Sequence, residues 1–142
     1  MIRTINRTQI RSKIQGFIED NFGTPAAERV CFLEIGPVDR YQKVHIPKAI
    51  QMDPNFTEHE MRNQASSYLP SHATEIIIYG DQIYQDRVKY AAEVLSQAGF
   101  ANIFVYEDGK EDWLKSGLWT ETTWVLADQT SREESAPLKK VS

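Results

Sequence analysis

Apolar positions along the chain follow two spacings, and each spacing predicts a different kind of element. Val30–Ile35 and Glu75–Tyr79 are short, β-rich runs that are apolar at most positions, and a glycine follows each run. Continuous apolar runs of this length are typical of strands that are covered on both faces. We therefore predict that both runs are buried strands of a parallel sheet.

Apolar residues at helical spacing occupy the segments around these runs, and a proline or glycine follows each such segment. We predict helices at residues 6–22, 58–69 and 87–98, and a short helix around Trp113 and Leu114. Further β-favouring stretches lie at residues 45–52, 103–106 and 122–126. Strands that alternate with helices through short connections indicate an α/β fold with a mostly parallel sheet.

Length and composition indicate one domain followed by a tail. A chain of 142 residues is long enough for one hydrophobic core and short for two. Residues 128–142 are rich in Glu, Ser and Lys and show no apolar periodicity, as in disordered tails. We therefore assign the domain to residues 1–127 and the tail to residues 128–142.

Charge and composition limit the partners and the compartment. The net charge is −4 and no run of Lys or Arg is long enough to follow a phosphate backbone, so we expect neither nucleic acid nor a membrane as a partner. No apolar stretch approaches the roughly 20 residues of a membrane span, and we expect a cytoplasmic protein. Cys31 is the only cysteine, which excludes an intrachain disulfide and a multi-cysteine metal site. We expect no cofactor.

Two segments carry a pattern that periodicity alone does not give. The first reads Leu33-Glu34-Ile35-Gly36, then Tyr41, then Val44-His45-Ile46-Pro47-Lys48-Ala49-Ile50. The second begins at Ile76-Ile77-Ile78-Tyr79 and continues through Ala98-Gly99-Phe100, Gly109 and Trp113. Together they resemble the rhodanese-like domain family, whose first segment reads Asp-Val-Arg, an aromatic residue and Gly-His-Ile-Pro-Gly-Ala. This chain departs from that pattern at Gly36, Val44, Lys48 and Asp108.

The resemblance implies a three-layer α/β/α fold around a mostly parallel, five-stranded sheet. It also implies an active-site loop that follows the strand Glu75–Tyr79. In active members of the family this loop begins with a nucleophilic cysteine, which carries a persulfide. The thiolate is needed because it attacks the sulfane sulfur and holds it covalently.

In this chain the corresponding segment, here named the Gly80 loop, contains no thiol. It consists of Gly80, Asp81, Gln82, Ile83, Tyr84, Gln85, Asp86 and Arg87. Glycine stands where the resemblance places the cysteine, and aspartate is a poor nucleophile toward sulfur. We therefore assign no catalytic residue and regard the Gly80 loop as a degenerate active-site loop.

The charged residues of the Gly80 loop allow several interpretations. Backbone N–H groups at a helix N-terminus can bind an anion, but Asp81 and Asp86 would oppose it, and we favour their acting as caps. Arg87 fits an anion clamp as well as a surface pair with Asp86 or Glu93. A hydrolase that uses Asp81 and Asp86 is the weakest hypothesis, because two acids in a turn are more often caps than catalysts.

Other chemically distinctive residues favour structural roles. Cys31 lies within a strand run, where a thiol is usually an inert packing residue. His45 lies at the family's His-Ile-Pro position, which implies a structural hydrogen bond, and it shares no metal-ligand spacing with His59 and His72. Trp119 and Trp124 fit either an interface anchor or a cover over the edge of the core, which we favour.

The sequence leads to one main hypothesis and one alternative. The main hypothesis is a rhodanese-like domain without sulfurtransferase activity that acts as a binding or regulatory module. Its partner is an unknown protein or a small ligand, and we expect a monomer or a weak homodimer. The alternative is an enzyme of the thiosulfate sulfurtransferase type that uses Cys31 or a cysteine supplied by a partner.

Overall fold

A parallel sheet of five strands forms the centre of the protein. The computed structural model describes residues 2–19, 30–69 and 71–122. The strands are β1 (Ile2–Thr4), β2 (Val30–Ile35), β3 (Ile50–Met52), β4 (Glu75–Tyr79) and β5 (Asn102–Val105). Their order in the sheet is β1-β5-β4-β2-β3, and every neighbouring pair is parallel.

Helices connect the strands and cover both faces of the sheet. They are α1 (Arg7–Glu19), α2 (Val38–Lys43), α3 (Glu58–Tyr68), α4 (Gln85–Gln97) and α5 (Gly109–Lys115), with a 3-10 helix at Gln82–Tyr84 before α4. A capping box starts α3, because Thr57 accepts a hydrogen bond from the Glu60 amide while the Glu60 carboxylate accepts one from the Thr57 amide. No helix in the described ranges is long and apolar enough to cross a membrane.

Alternation of side chains along the strands divides the core into two layers. On β4, Ile76 and Ile78 face one layer, where α3 and α4 contribute Met61, Ala65, Val88, Ala91 and Leu95. Ile77 and Tyr79 face the other layer, which contains Ile10 and Ile14 of α1 and Trp113 of α5. The predicted three-layer α/β/α fold is confirmed.

The central strands match their predicted limits, whereas the peripheral elements differ. The strand predicted at residues 45–52 is shorter, because residues 46–49 form a turn in which Lys48 has a φ of +69°. β1 and α2 were not predicted, because all three residues of β1 are exposed and α2 buries none of its residues. The predicted strand at residues 122–126 and the predicted tail extend beyond the described part of the chain.

Candidate functional site

The carboxyl ends of β2, β4 and β5 meet at one edge of the sheet, here called the carboxyl edge. It comprises Gly36, the Gly80 loop and residues 106–111, which lead from β5 into α5. In open parallel sheets ligands bind outside the carboxyl ends of the strands. The Lys110 amide donates to the Gly80 carbonyl at 2.9 Å, which joins two of these segments.

Gly80 lies against the backbone of β2 and has no room for a side chain. A β carbon built at this position would lie 2.4 Å from the Ile35 carbonyl oxygen and 3.5 Å from Val88 Cγ2. The first distance is far inside van der Waals contact, and a backbone atom cannot rotate away as a side chain can. Any other residue at position 80, cysteine included, therefore requires the backbone to shift.

The turn that follows Gly80 is tied to α5 by a carboxylate. The backbone amide of Gln82 donates to both Glu111 carboxylate oxygens, at 3.0 and 3.1 Å. The side-chain Nε2 of Gln82 donates to the Glu107 carbonyl at 2.8 Å. Gly109 has a φ of +82°, and a β carbon there would lie 2.9 Å from Gln82 Nε2. A carboxylate from within the chain thus occupies a loop amide that an anionic ligand would otherwise use.

The predicted capping by Asp81 and Asp86 is wrong. Asp81 precedes the 3-10 helix without a capping hydrogen bond, and Tyr84, not Asp86, is the N-cap residue of α4. Asp81 is instead 5% exposed and accepts from Arg40 Nε at 2.7 Å through Oδ2, because α2 places Arg40 beside the loop. Its Oδ1, like Gln85 Oε1, is buried without a hydrogen-bond donor among the described residues.

The predicted surface pair of Arg87 with Asp86 or Glu93 is also wrong, because the described contacts of its guanidinium are with backbone carbonyls and aromatic rings. Nε donates to the Pro54 carbonyl at 2.6 Å and Nη2 donates to the Phe56 carbonyl at 2.5 Å. The guanidinium carbon also lies 4.4 Å from the Phe56 ring centre and 4.9 Å from that of Tyr90. Arg87 therefore fastens the segment between β3 and α3 to α4.

A buried charged network lies beneath the carboxyl edge, and sequence reasoning missed it. Lys110 Nζ donates to Glu34 Oε2 at 2.6 Å and to the Arg40 carbonyl at 3.1 Å. The Tyr79 hydroxyl donates to Glu34 Oε1 at 2.7 Å and accepts from the Ile46 amide at 3.0 Å. Both charged side chains are 2% exposed. The available signal was Glu34 itself, a carboxylate inside an apolar strand run that needs a buried partner.

Burial dominates the electrostatics of this network. It raises the pKa of Glu34, although the hydrogen bonds from Lys110 and Tyr79 oppose that shift. Burial and the neighbouring Glu34 carboxylate also raise the pKa of Tyr79 well above its usual value. The Tyr79 hydroxyl therefore keeps its proton, and the hydrogen bonds of the network position the strand ends and α5.

Cys31 lies away from this network, in the opposite layer of the sheet. It is half-buried beside a small apolar cavity lined by Leu33, Met61 and Leu95. Burial raises the pKa of the Cys31 thiol to about 12. These surroundings agree with the packing role that we predicted.

His45 has the structural role that the family pattern implied. Its ring is 1% exposed, stacks on Tyr41 with 4.1 Å between ring centres, and lies 2.8 Å from the Tyr41 carbonyl through Nδ1. Its backbone pairs with Glu121 in both directions, at 2.9 and 2.8 Å. Within the described ranges, no group of three or more His, Cys, Asp or Glu side chains could hold a metal ion.

Of the two tryptophans near the C-terminal end, Trp119 lies within the described residues and Trp124 does not. The interpretation that Trp119 covers the core is wrong, because Trp119 is 42% exposed. Trp113 is the fully buried tryptophan, and its indole N–H donates to the Trp119 carbonyl at 2.8 Å. Trp119 thus supports the core through its backbone.

Comparisons with known proteins agree with the fold. The family model described as rhodanese-like domain matches residues 19–116. Among solved structures, the Alr3790 protein from Anabaena sp. is 22% identical, with a TM-score of 0.65 over 89% of this chain and 98% of that chain. BH2092 from Bacillus halodurans is 18% identical, with a TM-score of 0.58 over 92% of this chain and 90% of that chain. A search of curated proteins found no match.

Proposed function

The chain belongs to the rhodanese-like domain family, and from that premise we propose that it is a member without sulfurtransferase activity that acts as a binding or regulatory module. The observation that carries the proposal is position 80. The family's chemistry requires a thiolate there, and this chain has a glycine whose missing β carbon would lie 2.4 Å from a backbone oxygen. The packing around Gly80 thus leaves no space for a side chain.

The polar groups around Gly80 support the same proposal. A sulfurtransferase loop stabilises a thiolate or an anionic donor with backbone N–H groups and cationic side chains. Here the Gln82 amide is used by Glu111, and Arg40 is used by Asp81. These two donors therefore hold the conformation of the loop.

One form of the alternative enzyme uses Cys31, the only cysteine of the chain. Its thiol is half-buried against apolar side chains, and burial raises its pKa to about 12, so it stays protonated at neutral pH. A protonated thiol is a weak nucleophile toward sulfane sulfur. The surroundings of Cys31 therefore argue against this form of the alternative.

Steady-state turnover of thiosulfate and cyanide tests the proposal. We expect the full-length protein and the Cys31→Ser variant to form thiocyanate at the rate of the protein-free reaction. A rate above that background in the wild-type protein would overturn the proposal. Its loss in Cys31→Ser would then identify Cys31 as the nucleophile.

A further inference from the structure

A short antiparallel bridge attaches residues 118–122, here called the end segment, to the turn that follows α2. The His45 amide donates to the Glu121 carbonyl at 2.9 Å, and the Glu121 amide donates to the His45 carbonyl at 2.8 Å. The Glu121 carboxylate also accepts from the Lys48 amide at 2.9 Å through Oε1. Glu121 therefore joins the end segment to this turn through both its backbone and its side chain.

The end segment also covers part of the core. Leu118 packs against the layer that contains Tyr79 and Trp113, and the Trp119 carbonyl accepts from the Trp113 indole N–H at 2.8 Å. A segment held by a few hydrogen bonds opens more readily than the central strands of a sheet. Opening of the end segment would take away the acceptor of the Trp113 indole. Its attachment is therefore sensitive to one further contact.

The His45 ring supplies such a contact, because it meets the Glu121 carboxylate with an unpaired nitrogen. Nδ1 lies 2.8 Å from the Tyr41 carbonyl oxygen, which only accepts, so Nδ1 carries a hydrogen. Nε2 lies 3.5 Å from Glu121 Oε1, and it is buried without a hydrogen-bond partner among the described residues. In the neutral ring Nε2 is an acceptor beside another acceptor. A second ring proton turns this contact into a charge-assisted pair.

The charges around the imidazole favour that second proton. The titratable groups on the elements around it are Tyr41 and Lys43 of α2, Glu34 of β2, Tyr79 of β4, Lys110 of α5, Lys48 of the turn and Glu121. Glu34 and Lys110 compensate each other, and burial raises the pKa of both tyrosines, which stay neutral. Lys43 and Lys48 are exposed, so solvent screens their charges. The carboxylate next to Nε2 is that of Glu121, and it favours the charged ring.

Burial of the ring does not reverse this preference. Removing a charge from water is costly, but here the neutral ring is costly as well, because it leaves Nε2 as a buried acceptor without a donor. The Glu121 side chain is 41% exposed and lies at the boundary between the buried ring and solvent. It can therefore compensate the charge of the ring without being buried itself.

We propose that His45 and Glu121 form a proton-dependent latch, in which protonation of His45 Nε2 holds the end segment against the turn at residues 46–49 and loss of that proton weakens the attachment. The closed segment binds the proton more tightly than the open one. The stabilisation is therefore present at acid pH and is lost as pH rises through the midpoint of the His45 titration. Histidine side chains change charge between about pH 5 and pH 8, so the latch responds in that range. It is independent of whether the chain transfers sulfur.

NMR of the isotopically labelled full-length protein between about pH 5 and pH 8 tests the latch. The ring signals of His45 report its own titration, separately from those of the two exposed histidines. We expect Glu121→Gln, which keeps an oxygen for the Lys48 amide but removes the charge, to lower the His45 midpoint by about one pH unit. Glu93→Gln removes the same charge from α4, across the sheet, and should leave the midpoint within about 0.2 pH unit. Equal midpoints in the wild-type protein and Glu121→Gln, or no His45 titration in this range, would overturn the latch.

Amide hydrogen exchange measures the attachment of the end segment itself. After correction for the intrinsic exchange rate at each pH, the Glu121 amide should be about tenfold better protected at about pH 5.5 than at about pH 8, because about one pH unit in midpoint corresponds to about tenfold in the opening equilibrium. In Glu121→Gln the same amide should vary by less than about twofold. The Ala101 amide, which donates to the His72 carbonyl at 3.2 Å, is the control and should show no such trend. Weaker protection in Glu121→Gln with the wild-type pH dependence retained would reveal a merely structural contact and overturn the latch.

Discussion

The two ends of strands β2 and β4 differ in the chemistry that they place in the core. At the amino ends Cys31 pairs in register with Ile76 among apolar side chains. At the carboxyl ends Glu34 pairs with Tyr79, and Lys110 completes a buried charged network beside Gly80. Cys31 and Glu34 are about 10 Å apart along the strand and on opposite faces of the sheet, because they are three positions apart.

This difference is the basis of the proposal that the chain does not transfer sulfur. A reactive thiolate needs a thiol and groups that stabilise its charge in the same place. The amino ends of β2 and β4, here called the apolar end, hold the Cys31 thiol, and burial raises its pKa to about 12. The carboxyl ends, here called the polar end, have amides and cations but no room for a β carbon at position 80. The thiol and the groups that could stabilise a thiolate thus exist in one chain but lie at different ends and on different faces of the sheet.

The largest effect is expected where a charge of the polar end loses its partner. Lys110→Met leaves the Glu34 carboxylate buried without a cation, and we expect the free energy of unfolding to fall by about 3–5 kcal/mol. Chemical denaturation measures this. Lys115→Met, at the exposed end of the same helix, is the matched control and should change stability by less than about 0.5 kcal/mol.

The loss in Lys110→Met should depend on pH. The pKa of Glu34 is raised in the folded protein, so its contribution to stability is present at acid pH and is lost as pH rises through that raised value. Without Lys110 the pKa rises further, and the difference from wild type should shrink from about pH 7 to about pH 5. A difference that grows toward acid pH would contradict the assignment of Lys110 as the partner of Glu34.

The next prediction concerns a variant that places a thiol at the polar end. Gly80→Cys should destabilise the protein by about 2–3 kcal/mol and fail to restore thiosulfate turnover, because the β carbon meets the Ile35 carbonyl oxygen. Gly80→Ala should cost the same, whereas Gly36→Ala, whose β carbon would meet Glu34 Oε2 at an ordinary 3.6 Å, should cost less. A Gly80→Cys variant of wild-type stability would refute the steric argument.

A smaller loss of stability is expected when a single hydroxyl of the same network is removed. Tyr79→Phe removes the donor to Glu34 and the acceptor for the Ile46 amide, and should cost about 1–3 kcal/mol. Tyr68→Phe removes a hydroxyl from a side chain that is 59% exposed and should be neutral. Thermal unfolding of the two variants side by side checks this, and equal stability would show that water replaces the Tyr79 hydroxyl.

The smallest effect is expected at the apolar end. Cys31→Ala removes a half-buried sulfur beside an existing small cavity, so we expect a loss of at most about 1 kcal/mol. Denaturant titration of this variant measures the loss. A loss as large as that of Lys110→Met would show that the apolar end does not tolerate substitution better than the polar end.

Sequence patterns predicted the centre of the fold better than its surface. β2 and β4 were predicted to the residue because each is a continuous apolar run that is buried on both faces. β1 and α2 were missed because their residues are not buried and carry no apolar pattern. Local sequence cannot reveal an element whose formation depends on a neighbouring strand.

The sequence predicted a position for the candidate site but not the contacts of that position. The missing cysteine and the Gly80 loop follow from the family pattern alone. The partners of the loop do not, because Glu111 is 29 residues from Gln82 and Pro54 is 33 residues from Arg87. Contacts at such separations follow from the three-dimensional arrangement and have no local period.

The measurement that tests the central claim most directly is the intact mass of the full-length protein after incubation with thiosulfate. A competent thiolate would take the sulfane sulfur and release sulfite, and the chain would gain the mass of one sulfur atom. We expect no gain in the wild-type protein or in Cys31→Ser, because the thiol and its stabilising groups lie at different ends of the strands. A gain in the wild-type protein that the Cys31→Ser variant lacks would contradict that separation and make Cys31 the centre of an active enzyme.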